Sequence, residues 1–258
     1  MRKLNFVICM AGLGSRFVSA GYLKPKFMLC FGERTLFDYS LLSLPLEMAS
    51  KVIFIALREH EDKFQVTSFI REKFKALSSK MKKEVECEIV LLDKPTDGQA
   101  QTALLAREFI DLSDEIAIYN IDTFFKSKTL KYLLTNSQSK LDGIIGSFPL
   151  KGNDNKWSFA EINNCGIVKR TAEKVQISSN ALTGFYHFTR AADFFKVAQE
   201  AVANGDKNRG EFYIAPLYNK LIEEGKKFTL DMVDIIIPMG TPEEVRAIKP
   251  EIIKEAIG

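Results

Sequence analysis

Phe6-Val7-Ile8-Cys9-Met10-Ala11-Gly12-Leu13-Gly14-Ser15-Arg16-Phe17 reads as a buried strand running straight into a glycine loop that ends on a basic residue. Glycines there let backbone N–H groups approach a phosphate, and the chain beyond can offer a helix N-terminus to the anion. The loop is not a Walker loop, because no Gly-Lys-Ser/Thr closes it. Nor is it a dinucleotide fingerprint, because Phe17 stands at the third glycine position. On the glycines alone, a tight strand-to-helix turn explains the pattern equally well.

Outward from this stretch, apolar runs at 4–10, 52–57, 87–92, 116–121 and 143–148 read as strands, and the patterns at 35–44, 61–78, 99–110 and 128–134 as helices. Such alternation implies parallel strands joined by crossover helices: a single-domain, Rossmann-like α/β fold with one mostly parallel mixed sheet and helices on both faces. Past residue 150 the rhythm changes. Strands are expected at 158–162, 166–169 and 181–188, the last as a partly buried sheet edge, then helices at 191–204 and 212–224 and a strand at 234–238. Thr241 reads as the N-cap of a final helix whose first residue is Pro242.

The 258 residues carry 36 Lys+Arg against 33 Asp+Glu, a formal charge of +3, which argues against a dedicated nucleic-acid binder. No apolar run reaches the roughly 18 residues of a membrane span. The start, Met1-Arg2-Lys3 and an apolar stretch containing Asn5, runs into glycines rather than a signal-peptide cleavage site. Cys9, Cys30, Cys87 and Cys165 are scattered, without metal-ligand or disulfide spacing. A cytoplasmic enzyme with free thiols is the expectation. The basic cluster at 80–83 reads as a solvated loop, and His60 and His187, without partners at ligand or triad spacing, as structural or surface residues.

Gly21-Tyr22-Leu23-Lys24-Pro25-Lys26-Phe27 adds a second basic residue, ten positions after Arg16 and fixed by the preceding proline. An arginine and a lysine flanking a glycine loop can converge on one polyphosphate. The combined pattern, Gly-x-Gly-x-Arg followed by Pro-Lys, resembles the signature of the sugar nucleotidyltransferases, also called NDP-sugar pyrophosphorylases. The resemblance continues through Asp97-Gly98-Gln99-Ala100, similar to that family's second glycine loop, and Asn120-Ile121-Asp122, similar to its strand ending in a metal-binding aspartate. It extends to Glu173-Lys174, Thr183-Gly184-Phe185-Tyr186 and Arg209-Gly210-Glu211-Phe212-Tyr213.

This resemblance implies a GT-A-type nucleotidyltransferase domain over 1–258, with 1–150 mainly binding nucleotide and 151–258 mainly binding acceptor. It implies Arg16 and Lys26 as catalytic cations, and Ala11, Gly12, Leu13, Gly14, Ser15, Gly98 and Gln99 as nucleotide contacts. It further implies Lys174, Thr183, Gly184 and Glu211 as acceptor contacts and Asp122 as the Mg²⁺ ligand. The substrates implied are a nucleoside triphosphate, CTP first, and a phosphorylated small molecule such as a sugar 1-phosphate or phosphoglutamine, with pyrophosphate released. Capsule or surface-polysaccharide synthesis is the context, and a homodimer is common among such enzymes.

Two departures stand out. Val175 replaces the proline that usually follows Glu-Lys. Pro238-Met239-Gly240-Thr241 lacks the aspartate that in many relatives precedes Gly-Thr by two residues and completes the metal site. Either Asp122 holds the metal with phosphates and water, or a carboxylate such as Asp234 or Asp231 substitutes. A nucleotide-sugar glycosyltransferase of the same fold and a non-catalytic nucleotide-binding module are the competing readings.

Overall fold

The computed structural model describes residues 3–81, 83–136, 141–249, 251 and 253; Met1, Arg2 and Lys82 of the sequence reading lie outside them. The chain order begins β1 (Leu4–Cys9), α1 (Ser15–Ser19), β2 (Cys30–Phe31), β3 (Arg34–Thr35), α2 (Leu36–Leu42), β4 (Ala49–Leu57), α3 (Arg58–Phe64) and α4 (Val66–Met81). It continues through β5 (Glu86–Leu92), α5 (Gln99–Leu104), β6 (Glu115–Asn120), β7 (Thr123–Lys126), α6 (Leu130–Asn136), β8 (Gly143–Pro149), β9 (Ser158–Ile162), β10 (Val168–Glu173) and β11 (Asn180–Phe188). It closes with α7 (Ala191–Asn204), α8 (Leu217–Glu223), β12 (Phe228–Met232), β13 (Ile235–Pro238) and α9 (Pro242–Ala247).

Nine strands form one sheet in the order β10-β9-β11-β6-β1-β4-β5, with β8 on β11 and β12 on β8. The pairings make seven strands run one way and leave only β10 and β11 opposed, so the sheet is mixed but mostly parallel, as expected. The period of two along β1 splits its side chains between two cores. Leu4, Phe6 and Ile8 join Phe37, Phe54, Ile70 and Phe74 on the face covered by α2 and α4. Val7 joins Ile53, Ile55, Ala100, Phe194 and Tyr218 on the face covered by α5, α7 and α8.

Several local expectations are corrected. The strand at 181–188 is not a sheet edge: β11 lies between β6, β8 and β9 and is buried almost throughout. The helix at 61–78 is two helices, broken at Gln65, which caps α3 at φ +52. The helix at 212–224 begins only at Leu217, because Phe212 pairs its backbone with another loop: its N–H donates to Asp97 and its carbonyl accepts from Ala100. The hairpin after β9 resumes at Val168 and runs to Glu173. β12 and the β2–β3 pair form where no strand is expected. Thr241 and Pro242 act as predicted, within a full capping box closed by Glu244.

Candidate active site

Because β6, β1, β4 and β5 are parallel, their C-terminal ends (Asn120, Cys9, Leu57 and Leu92) open on one edge, the position of the ligand crevice in open α/β sheets. Loop residues 10–14 leave β1 here, with the Met10 N–H still donating to Ile55 at 2.9 Å. Gly14 takes φ +62 and receives the Phe17 and Val18 N–H groups at 2.8 and 3.1 Å, starting α1. That helix has five residues, so the helix N-terminus expected from the sequence is a short one with a weak dipole. Ala11 is buried, whereas Gly12, Leu13, Ser15 and Arg16 are exposed. Arg16 forms no ion pair among the described residues.

Pro25 holds extended backbone (φ −52, ψ 140) before a 3-10 turn at Lys26–Met28, anchored by buried Phe27. The turn delivers Lys26 Nζ to Asp122 Oδ2 at 2.7 Å, joining two predicted site residues from distant parts of the chain. Asp122 follows β6 and precedes β7, and its carbonyl accepts the Met239 N–H at 2.8 Å. β13 pairs antiparallel with β7, Pro238 opposite Thr123, so the last motif does lie beside Asp122.

The suggested substitute carboxylates do not. Asp231 and Asp234 are at the far end of β7: Asp231 accepts the Ser127 and Thr129 hydroxyls at 2.8 and 2.6 Å, and Asp234 the Lys128 N–H at 2.9 Å. The carboxylate near Asp122 is Glu244. A β-carbon on Gly240 would lie 3.4 Å from both Asp122 Oδ2 and Glu244 Oε2. Glu244 is engaged, however, by the Gly240 and Thr241 N–H groups at 2.9 and 3.1 Å and by Lys156 at 2.8 Å. No cluster of three or more His, Cys, Asp or Glu suited to a metal occurs among the described residues. Mg²⁺ needs no such cage, since it typically uses one or two carboxylates with waters and substrate phosphates. The half-buried carboxylate of Asp122 at the crevice fits that requirement.

Gly98 sits at φ +129 and ψ 170 before α5, and a β-carbon there would be 2.5 Å from the backbone nitrogen of Phe212. The second glycine loop is thereby clasped to the 211–213 segment, with Phe212 N–H to Asp97 at 2.6 Å and Ala100 N–H to Phe212 at 2.9 Å. Gln99 Nε2 donates to Asn120 Oδ1. Gly184, at φ +88, lies across from Asn120 on β11. Thr183 does not share the crevice: it is 1% exposed, packed on Gly146, and its hydroxyl accepts the Phe185 N–H.

Lys174, at φ +53, donates to the Tyr213 hydroxyl and lies over that ring at 4.6 Å from the centroid. Arg209, at φ +48, donates through Nη2 to the Lys174 carbonyl at 3.2 Å. Both residues hold left-handed backbone, which is uncommon for side chains other than glycine. Exposed Glu211 stands beside it, in a tight turn where Asn208 and Glu211 exchange backbone bonds of 2.9 and 3.0 Å. Burial, then the bond and charge of Glu211, push the Tyr213 phenol up. Glu173 is buried, accepts from Ser158, and is held above the usual carboxylate range mainly by that burial. Arg209, Tyr213 and Asn120 were not among the predicted site residues, although all three fall inside the motifs that carried the resemblance.

Other groups are structural, as expected. His187 is bonded to buried Glu115 at 2.8 Å, and His60 packs on Phe27. Burial pushes the Cys9 and Cys87 thiols up, the latter to about 11, so neither is poised as a thiolate.

Residues 6–235 match the family described as nucleotidyl transferase. The chain belongs to that family. It is accordingly an enzyme of the nucleotidyltransferase class. A nucleoside-diphosphate-sugar pyrophosphorylase from Vibrio cholerae RC9 is similar at 34% identity, covering 93% of this chain and 98% of its own, with a TM-score of 0.77. More distant structures share the fold. They include a putative glucose-1-phosphate thymidylyltransferase from Bacillus anthracis (20% identity, 94% and 92% coverage, TM-score 0.74). The inositol-1-phosphate CTP transferase from T. maritima is another (15% identity, 100% and 97% coverage, TM-score 0.71). None of the curated proteins compared with this chain matches it in sequence. Among the described residues no helix is long and apolar enough to cross a membrane.

Proposed function

We propose that this nucleotidyltransferase joins a nucleoside triphosphate, CTP in the first instance, to a phosphorylated small molecule in capsule or surface-polysaccharide synthesis. The observation that carries the reading is the Lys26–Asp122 pair at 2.7 Å, set at the strand ends from which the glycine loop with its exposed Arg16 also leaves. Residues 1–150 then serve mainly the nucleotide and 151–258 mainly the acceptor. The preference for CTP rests on the overall resemblance; one fold neighbour is described as a CTP transferase.

In the reaction, an acceptor phosphate oxygen forms a bond to the α-phosphorus, the α–β bridging bond breaks, and pyrophosphate leaves with the electron pair. A phosphate monoester is largely ionised at neutral pH, so no general base is needed. The task is to hold two anions in line and neutralise charge. Arg16 and the 11–15 loop bind the triphosphate tail. Lys26, steered by Asp122, meets the α-phosphate and the incoming oxygen. Lys174 and Arg209 attract the acceptor phosphate, and Glu211 faces its polar remainder. Mg²⁺ would be held by Asp122 and would supply charge neutralisation of the phosphate oxygens.

Pyrophosphate release tests the reading, measured with Mg²⁺, each of CTP, UTP, dTTP, ATP and GTP, and a panel of sugar 1-phosphates and phosphoamino compounds. Lys26→Ala and Asp122→Ala are each expected to lower kcat by about 10²- to 10³-fold, the scale for losing one preorganised electrostatic contact. Turnover close to wild type in both variants sinks the assignment. Consumption of a nucleotide sugar with nucleoside diphosphate as product, and no pyrophosphate from any triphosphate, installs the glycosyltransferase instead.

A further inference from the structure

Resting on the nucleotidyltransferase reading, we propose that Lys156 is a third cation for the acceptor phosphate, beside Lys174 and Arg209. On substrate binding its ammonium leaves Glu244 and donates to phosphate oxygens in the gap between Asp122 and Lys174.

Lys156 lies in the loop 150–157, and the fold ties that loop to both poles of the site. On one side its Nζ donates to Glu244 Oε1 at 2.8 Å. The other oxygen of Glu244 and Asp122 Oδ2 each lie 3.4 Å from the place a β-carbon on Gly240 would take, so Lys156 is held by the carboxylate next to Asp122. On the other side the adjoining Trp157 carbonyl accepts the Lys174 N–H at 3.0 Å. Lys156 therefore stands between the Lys26–Asp122 pair and the Lys174–Arg209 corner. Transfer requires the acceptor oxygen to reach the α-phosphorus, so the acceptor phosphate has to enter that same interval.

The root of the side chain is fixed, and its tip is free to change partner. Trp157 packs edge-on against Phe148, with ring centroids 4.9 Å apart, and Lys156 Nζ lies 5.0 Å from the centre of the tryptophan ring. The Lys156 side chain is 49% exposed against 19% for Glu244. Glu244 does not depend on the lysine, because its Oε2 keeps the Gly240 and Thr241 N–H groups at 2.9 and 3.1 Å. An ion pair this open contributes little by itself. The lysine's other carboxylate, Asp154, is at 3.5 Å. A phosphate monoester brings close to two negative charges and offers stronger, charge-assisted bonds. The neighbouring cations are already engaged: Lys26 with Asp122, Lys174 with the Tyr213 hydroxyl, and Arg209 with the Lys174 carbonyl.

Three variants separate this role from a loop latch. Lys156→Met keeps an unbranched stem over Trp157 and removes the charge. Lys156→Arg keeps the charge. Glu244→Gln breaks the ion pair but preserves the cap, since glutamine also serves a capping box. Each protein is saturated with Mg²⁺ and the α,β-methylene analogue of whichever of CTP, UTP, dTTP, ATP and GTP binds. It is then titrated with inorganic phosphate and with glucose 1-phosphate, and Kd is read by calorimetry. Lys156→Met is expected to raise both Kd values about ten- to a hundredfold, the scale for a hydrogen bond to a charged group, with triphosphate affinity within about twofold of wild type. Lys156→Arg should bind within about threefold of wild type, and Glu244→Gln as tightly as wild type or tighter, because its lysine is already released. The unliganded Tm of Lys156→Met should stay within about 2 °C of wild type. Phosphate binding unchanged in Lys156→Met overturns the inference. So does equal weakening in Glu244→Gln, which would make the pair a latch, and so does an equal loss of triphosphate affinity in Lys156→Met. A wild-type protein that binds a triphosphate but neither phosphate nor glucose 1-phosphate overturns it as well. All four outcomes leave the nucleotidyltransferase reading standing, whereas a wild-type protein that binds none of the five triphosphates removes both.

Discussion

Asp231 shows what a single buried carboxylate costs here. It is fully buried on β12, with the Ser127 and Thr129 hydroxyls on Oδ1 and, among the described residues, no partner for Oδ2. Burial holds its pKa above the 3.8 of a free aspartate, more than the two hydroxyls lower it. The folded state therefore binds more protons than the unfolded chain just above pH 3.8, and stability falls as pH rises through the raised value. Asp231→Asn, which mimics the protonated form, is expected to raise Tm at pH 7, with the gain shrinking as pH is lowered towards 4. Melting curves of both proteins across pH 4 to 7 check this, and an unchanged difference over that range refutes it. The same residue shows the limit of sequence reading: Asp231 looked like a metal ligand because it is acidic and near the last motif, and only strand pairing puts it at the wrong end of β7.

At the scale of elements, local chemistry wrote the boundaries wherever the partner atoms are near in sequence. Thr241 accepts the Glu244 N–H at 3.1 Å while Glu244 returns to the Thr241 N–H, also at 3.1 Å, and Pro242 supplies a preset first residue. The cap was legible as Thr-Pro; the return bond from Glu244 came with the structure. Thr241→Ala is expected to cost about 1 kcal/mol, the usual worth of a threonine cap, or roughly 2 to 4 °C in Tm. Denaturant melts would show it as a lower midpoint at unchanged slope. The opposite case is the segment from Phe212 to Pro216. Its apolar spacing suits a helix, but the Phe212 backbone is spent on Asp97 and Ala100, so the helix waits until Leu217. Neither β12 nor the central place of β11 is encoded locally, since both depend on which strand lies alongside.

For the whole molecule, the contact between the Gly98 loop and the 211–213 segment matters most, because it ties the proposed nucleotide loop after β5 to the proposed acceptor side. Gly98 occupies backbone essentially closed to other residues, and a β-carbon would strike Phe212 at 2.5 Å. Gly98→Ala should lose about 1 to 3 kcal/mol from backbone strain alone and weaken triphosphate and acceptor binding together. Gly12→Ala, where a β-carbon meets nothing within 4 Å, should leave Tm unchanged. Equal Tm values for the two variants would show that the clasp is not rigid.

The sequence by itself determined the alternation of strands and helices, the strand–glycine-loop start and the family. Those depend on periodicity, caps and short motifs, whose interacting atoms lie within a few residues of one another. Tertiary structure alone decided that Lys26 meets Asp122, that Asn120 fills the place left by Gly184, and that Thr183 turns inward. It also decided that Glu244, rather than Asp231 or Asp234, stands beside Asp122. Each of those outcomes joins atoms far apart along the chain, and their geometry follows from strand order and register, which no local pattern of residues specifies.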